Sequence, residues 1–186
     1  LLLALLFIPM ICLGIGMLFF SPQLLSKRLN NKEKERTQKH VVVFSGLMFL
    51  GGFILCGLDH RFAWSQVPFW VVITASMLFL IGYVIYAEVL RENAYLSRTV
   101  EVQDNQQLID TGLYSIVRHP MYTATLLMFL SMPLILGSWW ALLLFACYPW
   151  LIIKRIQNEE QVLVSGLKGY ADYKKQVRWR LIPWVW

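Results

Sequence analysis

Charged residues are scarce in this chain of 186 residues: Asp, Glu, Lys and Arg make up 15% of it, against 58% hydrophobic and 15% aromatic residues. With a mean hydropathy of +0.54, a soluble domain of ordinary composition is excluded and a polytopic membrane protein is implied. Cysteine is nearly missing. Cys12, Cys56 and Cys147 each stand in an apolar stretch without CxxC or metal-ligand spacing, so neither a disulfide framework nor a metal centre is implied, and the three read as buried core residues. No Gly-x-Gly-x-x-Gly follows a strand pattern; Gly14 and Gly16 lie inside an apolar run, which excludes a Rossmann-type nucleotide site. Acids are the scarcer charge, 11 against 17 Lys and Arg, for a net charge of +6. The basic residues fall between hydrophobic runs, so their expected partner is the anionic surface of a lipid bilayer and not a nucleic acid.

What the chain has in abundance is long apolar runs. Residues 1–20 carry no charge and, at 1.5 Å per residue, are long enough to cross a hydrocarbon core of about 30 Å, with Pro9 predicting a kink and Ser21-Pro22 a stop. Residues 26–40 are their opposite, with Lys27, Arg28, Lys32, Lys34, Arg36 and Lys39 against Glu33 and Glu35. Residues 41–58, 69–90, 121–137 and 139–153 read as further spans, separated first by a short loop over Asp59 to Pro68 that holds His60. The expected fold is therefore all-α, a polytopic membrane helix bundle of about five transmembrane helices in a single domain over 1–186. The last two spans are short, nearly loopless and contain Pro133 and Pro149, which predicts a tight kinked hairpin. Every Lys and Arg except Arg61 falls on one side of this arrangement. By charge asymmetry the N-terminus lies outside, while the loop at 91–120 and the C-terminal helix and tail at 154–186 are cytoplasmic.

Polar chemistry gathers in two stretches. Thr111 to Tyr122 carries an Arg118-His119 pair directly ahead of Pro120, which suits the first turn of a helix and places His119 at its cap. On that helix His119 and Tyr122, and Arg118 and Tyr122, share a face; an interfacial anchor is the simpler alternative. Lys154 to Glu160 brings Arg155 and Glu159 together, and an ordinary i,i+4 ion pair is their simplest reading. The hairpin of the final spans returns both stretches to one membrane face. Thr99 to Val102 and Gln107 to Asp110 alternate weakly around Asp104-Asn105 and predict a small hairpin over the site. From Asn158 to Gln176 apolar residues recur at helical spacing, predicting an amphipathic interfacial helix, with Trp179, Trp184 and Trp186 as anchors. Glu88, alone among apolar residues, is either a functional acid or a helix-end residue that reaches water.

These stretches together (Gly112-x-Tyr114, Arg118-His119-Pro120-x-Tyr122, Glu159-Glu160, Tyr170-x-x-Tyr173 and the basic, proline-containing tail) resemble the isoprenylcysteine carboxyl methyltransferase family of integral membrane enzymes and its phospholipid methyltransferase relatives. The resemblance covers about Gln103 to the C-terminus and is similar in kind to a prokaryotic or archaeal member. It departs at Ala124, where the family usually has glycine. The resemblance implies an enzyme that uses S-adenosyl-L-methionine, with S-adenosyl-L-homocysteine as product, to methylate a lipophilic acceptor at the membrane-cytosol boundary. Carboxyl O-methylation of an isoprenylcysteine-like acceptor is the main expectation; phospholipid N-methylation and NADPH-dependent lipid or sterol reduction are the alternatives. Carried over by motif, Gln103, Gln106, Gln107, Leu108, Ile109, Tyr114, His119, Pro120, Met121, Tyr122 and Glu159 would bind the cofactor. Arg155 would hold a prenylated acceptor's carboxylate and act with Glu159 in catalysis.

Overall fold

The computed structural model describes residues 2–29, 36–97 and 99–186, so part of the first basic run, including Lys32, Glu33, Lys34 and Glu35, lies outside the described residues. Eight α-helices follow in order: α1 Leu2–Phe20, α2 Pro22–Leu29, α3 Arg36–Phe62, α4 Phe69–Glu92, α5 Pro120–Ile135, α6 Trp139–Phe145, α7 Tyr148–Gly166 and α8 Tyr170–Gln176. No strand occurs among the described residues. Four stretches, Leu3–Phe20, His40–Phe62, Phe69–Glu92 and Trp139–Gly166, are long and apolar enough to cross a membrane, and α5 is a shorter apolar helix of 16 residues. The protein is an integral membrane helix bundle.

Several local expectations change for identifiable reasons. Helix α1 runs through Pro9 and ends at Phe20, as Ser21-Pro22 predicts, and Pro22 then starts α2, because proline at a first helical position loses no hydrogen bond. Pro149 likewise falls in the first turn of α7, and the expected span 139–153 is divided by the turn at Ala146-Cys147. The amphipathic helix expected over 158–176 is two helices, since Gly169 takes φ +87° and redirects the chain into α8. Of the cysteines, only Cys56 is buried; Cys12 and Cys147 lie on the bundle surface. Around Asp104-Asn105 there is a turn, closed by Gln106 N donating to Gln103 O at 3.1 Å, but no strand ladder.

Two contacts set the frame that carries the site. At the end of the bundle opposite the Arg-His stretch, Asp59 is not a loop residue but a buried carboxylate inside α3. It accepts from Ser65 N and Ser65 Oγ, both at 2.7 Å, and from Ser138 Oγ, which also caps α6 by accepting from Ala141 N at 3.1 Å. One acid thus ties the α3–α4 loop to the α5–α6 turn. Midway along the bundle α4 and α5 approach closely at Gly82, where a Cβ would meet Met128 Cγ at 2.7 Å and Ala124 O at 3.0 Å. Ala124 is itself fully buried, so the alanine at this point is accommodated by the glycine facing it. Below the site, Tyr122, Phe145, Tyr148, Ile152, Ile156 and Leu181 form one core.

The close approach predicts that Gly82→Leu overpacks the α4–α5 seam. A loss of about 2 kcal/mol of stability is expected, read as a lower unfolding temperature in detergent, while Gly14→Leu, with nothing nearby, leaves it unchanged.

Candidate functional site

The site is built outward from the end of α4. Glu92 turns back so that both its carboxylate oxygens accept from Leu113 N, at 3.2 and 3.1 Å, and this starts a 3-10 turn over Gly112–Ser115. Gly112 sits at φ +55° against that carboxylate, where a side chain would collide with it. The turn points Tyr114 inward. Its hydroxyl accepts from Asn93 Nδ2 at 2.9 Å, and its carbonyl accepts from Tyr173 Oη at 2.7 Å. Tyr114, Tyr170 and Tyr173 are all held above the ordinary phenol range by burial, so they remain neutral hydroxyls.

The motif stretch is then pinned to the tail. Arg118 N donates to Trp179 O and His119 N to Arg180 O, each at 2.9 Å, while Thr123 Oγ1 donates to Leu181 O at 2.7 Å. The buried Arg118 guanidinium reaches Val177 O at 2.6 Å, Arg178 O at 2.9 Å and, through Nε and Nη2, Glu160 Oε1 at 2.8 Å. Glu160 collects further cations, Arg180 at 3.0 Å and Lys174 at 3.5 Å. The adjacent acids therefore part ways. Glu160 is buried in an ion cluster that assembles the wall, and Glu159, one residue away on α7, faces the cavity.

That cavity is about 100 Å³ in volume and opens to its surroundings. Its polar side is a relay on two helices: Arg155 Nε donates to Tyr122 Oη at 2.8 Å, and Tyr122 Oη donates to Glu159 Oε2 at 2.5 Å. Arg155 and Glu159 are thus joined through a phenol from α5 and are more than neighbours on one helix. His119 stacks on Tyr122 with ring centroids 5.7 Å apart, and its Nδ1 lies 4.0 Å from Glu159 Oε1. Its Nε2 lies 3.4 Å from Glu160 Oε1 without hydrogen-bond geometry, and the buried Tyr170 hydroxyl also lacks a partner. The opposite side is apolar, from Leu108, Val162, Leu163 and Leu167.

Of the residues singled out by sequence, all but Gln103 and Pro120 line this cavity. Gln103 instead braces the loop, donating from Nε2 to Tyr95 O at 2.6 Å, and Pro120 starts α5. Glu88 stands apart, paired at the surface with Arg91. Sequence reasoning missed Asn93, Tyr95 and Ser97, which lie in the loop after α4 and carry no motif, and it gave Tyr170 and Tyr173 a place in the motif pattern but no role at the site.

A bundle with a polar cavity walled by the ends of α5 and α7 defines a membrane protein with a small-molecule site at the mouth of its helices. The chain belongs to the phospholipid methyltransferase family, whose profile matches residues 70–168, more than half of it. It is similar to the protein-S-isoprenylcysteine O-methyltransferase of Dictyostelium discoideum, 34% identical over 87 residues, 46% of this chain and 36% of that one. The enzyme of that name from Schizosaccharomyces pombe is 31% identical over 107 residues, 52% of this chain and 45% of that one. A delta(14)-sterol reductase of Mus musculus is 29% identical over 93 residues, 47% of this chain and 22% of that one. The chain spans less than half the length of these curated relatives. In fold it is similar to the eukaryotic intramembrane Ras methyltransferase, isoprenylcysteine carboxyl methyltransferase, with a TM-score of 0.63 over 76% of this chain and 52% of that one, at 21% identity.

The Glu160 cluster predicts a separable structural phenotype. Glu160→Gln leaves Arg118 buried without its counter-charge, and a loss of about 3 kcal/mol is expected. Limited trypsin cleavage at Arg178 or Arg180 should accelerate with it; unchanged stability and cleavage would show that the cluster does not hold the tail.

Proposed function

We propose that the protein transfers a methyl group from S-adenosylmethionine to the carboxylate of a lipophilic, isoprenylcysteine-like acceptor at the membrane-cytosol boundary. The observation that carries this reading is the Arg155–Tyr122–Glu159 relay on the wall of a cavity that also has an apolar lining from Leu108, Val162, Leu163 and Leu167. The cofactor fits this donor set. Glu159 offers an acceptor for ribose hydroxyls or an amino group, the unpartnered Tyr170 hydroxyl offers a donor, and Leu108, Val162, Leu163 and Leu167 offer an apolar bed for a base. S-adenosylmethionine supplies an already activated methyl on a sulfonium. The protein's share of the work is then alignment and exclusion of water. Tyr122, fixed from both sides, holds Glu159 towards the cofactor and Arg155 towards the acceptor, whose carboxylate is anionic at neutral pH and needs no general base.

A nicotinamide dinucleotide suits the cavity less well, although a sterol reductase is among the similar proteins. Its phosphates call for several available cations. Among the described lining residues the permanent ones are Arg118, already engaged by Glu160, and Arg155, opposed by Glu159 across Tyr122. S-adenosylhomocysteine is expected to raise the unfolding temperature of the purified protein, because a ligand of the folded state stabilises it by mass action, and NADPH is not. Glu159→Gln should weaken that binding. Arg155→Ala should keep it within a few fold yet lower kcat/KM for the acceptor by about 100-fold, roughly 3 kcal/mol of orientation or charge pairing. Stabilisation by NADPH alone would overturn the reading.

The charge asymmetry supports an orientation with the cavity on the cytoplasmic side and the N-terminus outside, and with α5 as a fifth, short span. Cysteines introduced at Asn105 and Phe62 should then label from opposite faces of sealed vesicles; labelling of both from one face refutes that arrangement.

A further inference from the structure

Arg28 carries a charge that no carboxylate among the described residues neutralises. It closes α2, and its half-buried guanidinium meets only uncharged groups: Nη1 reaches Ser97 O at 3.3 Å and Met121 Sδ at 3.4 Å, and Nη2 donates to the Tyr86 hydroxyl. The Tyr86 ring lies beneath it, 5.6 Å from centroid to Cζ. These partners occupy three of the five N–H groups of the guanidinium, and the thioether is a weak acceptor. Among the described residues nothing meets the Nε–H and one Nη2–H, a fork that matches a carboxylate. Lys27 beside it is also served by uncharged groups, Ala94 O at 3.3 Å and the Tyr95 ring at 5.9 Å. Two cations from α2 thus lie against the loop that rims the cavity.

A half-buried guanidinium with neutral partners is an arrangement that a tie between helices does not need, since a charge removed from water is costly unless an opposite charge meets it. Arg155 differs in this respect, having Glu159 across Tyr122. Ser97 and Met121 both line the cavity. Met121 thus touches both Arg28 and the cavity, and its side chain is unbranched and adaptable.

We propose that Arg28 is a specificity-determining contact for the acceptor, its guanidinium receiving the oxyanion of a lipid beside Met121 as the lipid moves from the bilayer into the cavity. The proposal rests on the methyl-transfer reading and narrows it: an anionic acceptor is drawn to Arg28 and Lys27, and an amine-bearing headgroup is repelled. Arg155 then acts at the reacting end, and Arg28 acts on capture.

Equilibrium binding tests this without a methyl donor, so a failure of the methyl-transfer reading leaves the measurement standing. The full chain in nanodiscs is titrated with an N-acetyl-S-prenylcysteine, which has a free carboxylate, and with its neutral carboxamide. The parent should favour the carboxylate by at least about tenfold, and Arg28→Ala should bring the two affinities together by weakening the carboxylate alone. Arg28→Lys, which keeps the charge and guards against a folding defect, should lose part of the preference because it lacks the fork. In turnover, Arg28→Ala should raise KM for the carboxylate acceptor with kcat within about threefold, and leave S-adenosylhomocysteine affinity unchanged. Equal weakening of carboxylate and carboxamide would make Arg28 a structural tie, and unchanged affinities would remove it from the acceptor's path. A difference present only in nanodiscs of anionic phospholipid would assign the fork to bilayer phosphates. Each of these three outcomes overturns the proposal.

Discussion

The arrangement of the cavity depends on one buried acid. Glu160, 3% exposed, is met by Arg118, Arg180 and Lys174, which come from the α5 approach, the tail and α8 in turn. A carboxylate taken out of water is tolerable only with such company, and its partners must keep their places for the same reason. The tail is consequently drawn under the motif stretch, where its carbonyls at Trp179 and Arg180 accept from Arg118 N and His119 N. The N-terminal end of α5 would otherwise present N–H groups with no partner. Its cap residue His119 accepts no bond from the helix through its side chain; its backbone carbonyl takes Tyr122 N and Thr123 N, and the tail takes the N–H groups just ahead of them.

The two ends of the bundle are fixed in different currencies. Asp59 holds the far end through hydroxyls and one backbone N–H, and Glu160 holds the near end through cations. Between them the seam at Gly82 leaves α4 and α5 little room to shift. The α5 and α7 wall of the cavity is therefore stiff, which suits residues that must align groups. Its other wall, in the loop after α4, is held by local bonds such as Gln103 Nε2 to Tyr95 O and Tyr95 Oη to Asn105 O at 3.4 Å.

How much of this the sequence made legible follows from the range of each interaction. The helices were readable because long apolar runs specify them locally, and the two polar stretches were readable because a charge beside an apolar helix needs an explanation. Proline positions were only partly readable, as at Pro22 and Pro149, which begin helices, since the residue types are the same whether proline breaks a helix, begins one or is carried within it. The division between Glu159 and Glu160 was not readable from the residues themselves, and only the resemblance singled out Glu159. Adjacent positions on a helix differ by about 100° in direction, and which one points inward is set by where α5 and the tail pack. Arg28 was hidden in a basic run that looked uniformly like a solvated face, and only its proximity to Met121, far along the chain, separates it from its neighbours.

The charge balance of the cavity also bears on which ligands it prefers. Arg118 is answered by Glu160 and Arg155 by Glu159 through Tyr122, so neither arginine of the described cavity lining stands without a carboxylate, and these charges are arranged as oriented pairs. A space lined by such pairs binds a ligand carrying both signs better than a polyanion, whose phosphates would compete with Glu159 and Glu160 for the same guanidinium groups. On the methyl-transfer reading this is what the cofactor requires, since its amino acid end and sulfonium carry both signs. Among the described residues, charge without a facing carboxylate lies outside that space, at Arg28 and Lys27 on the rim. An anionic lipid is then attracted at the edge without a net positive field at the reacting atoms, a field that would hold the carboxylate too tightly to let it attack. Separating capture from reaction in this way lets binding strength rise at the rim while the Arg155 relay remains free to stabilise the transition state.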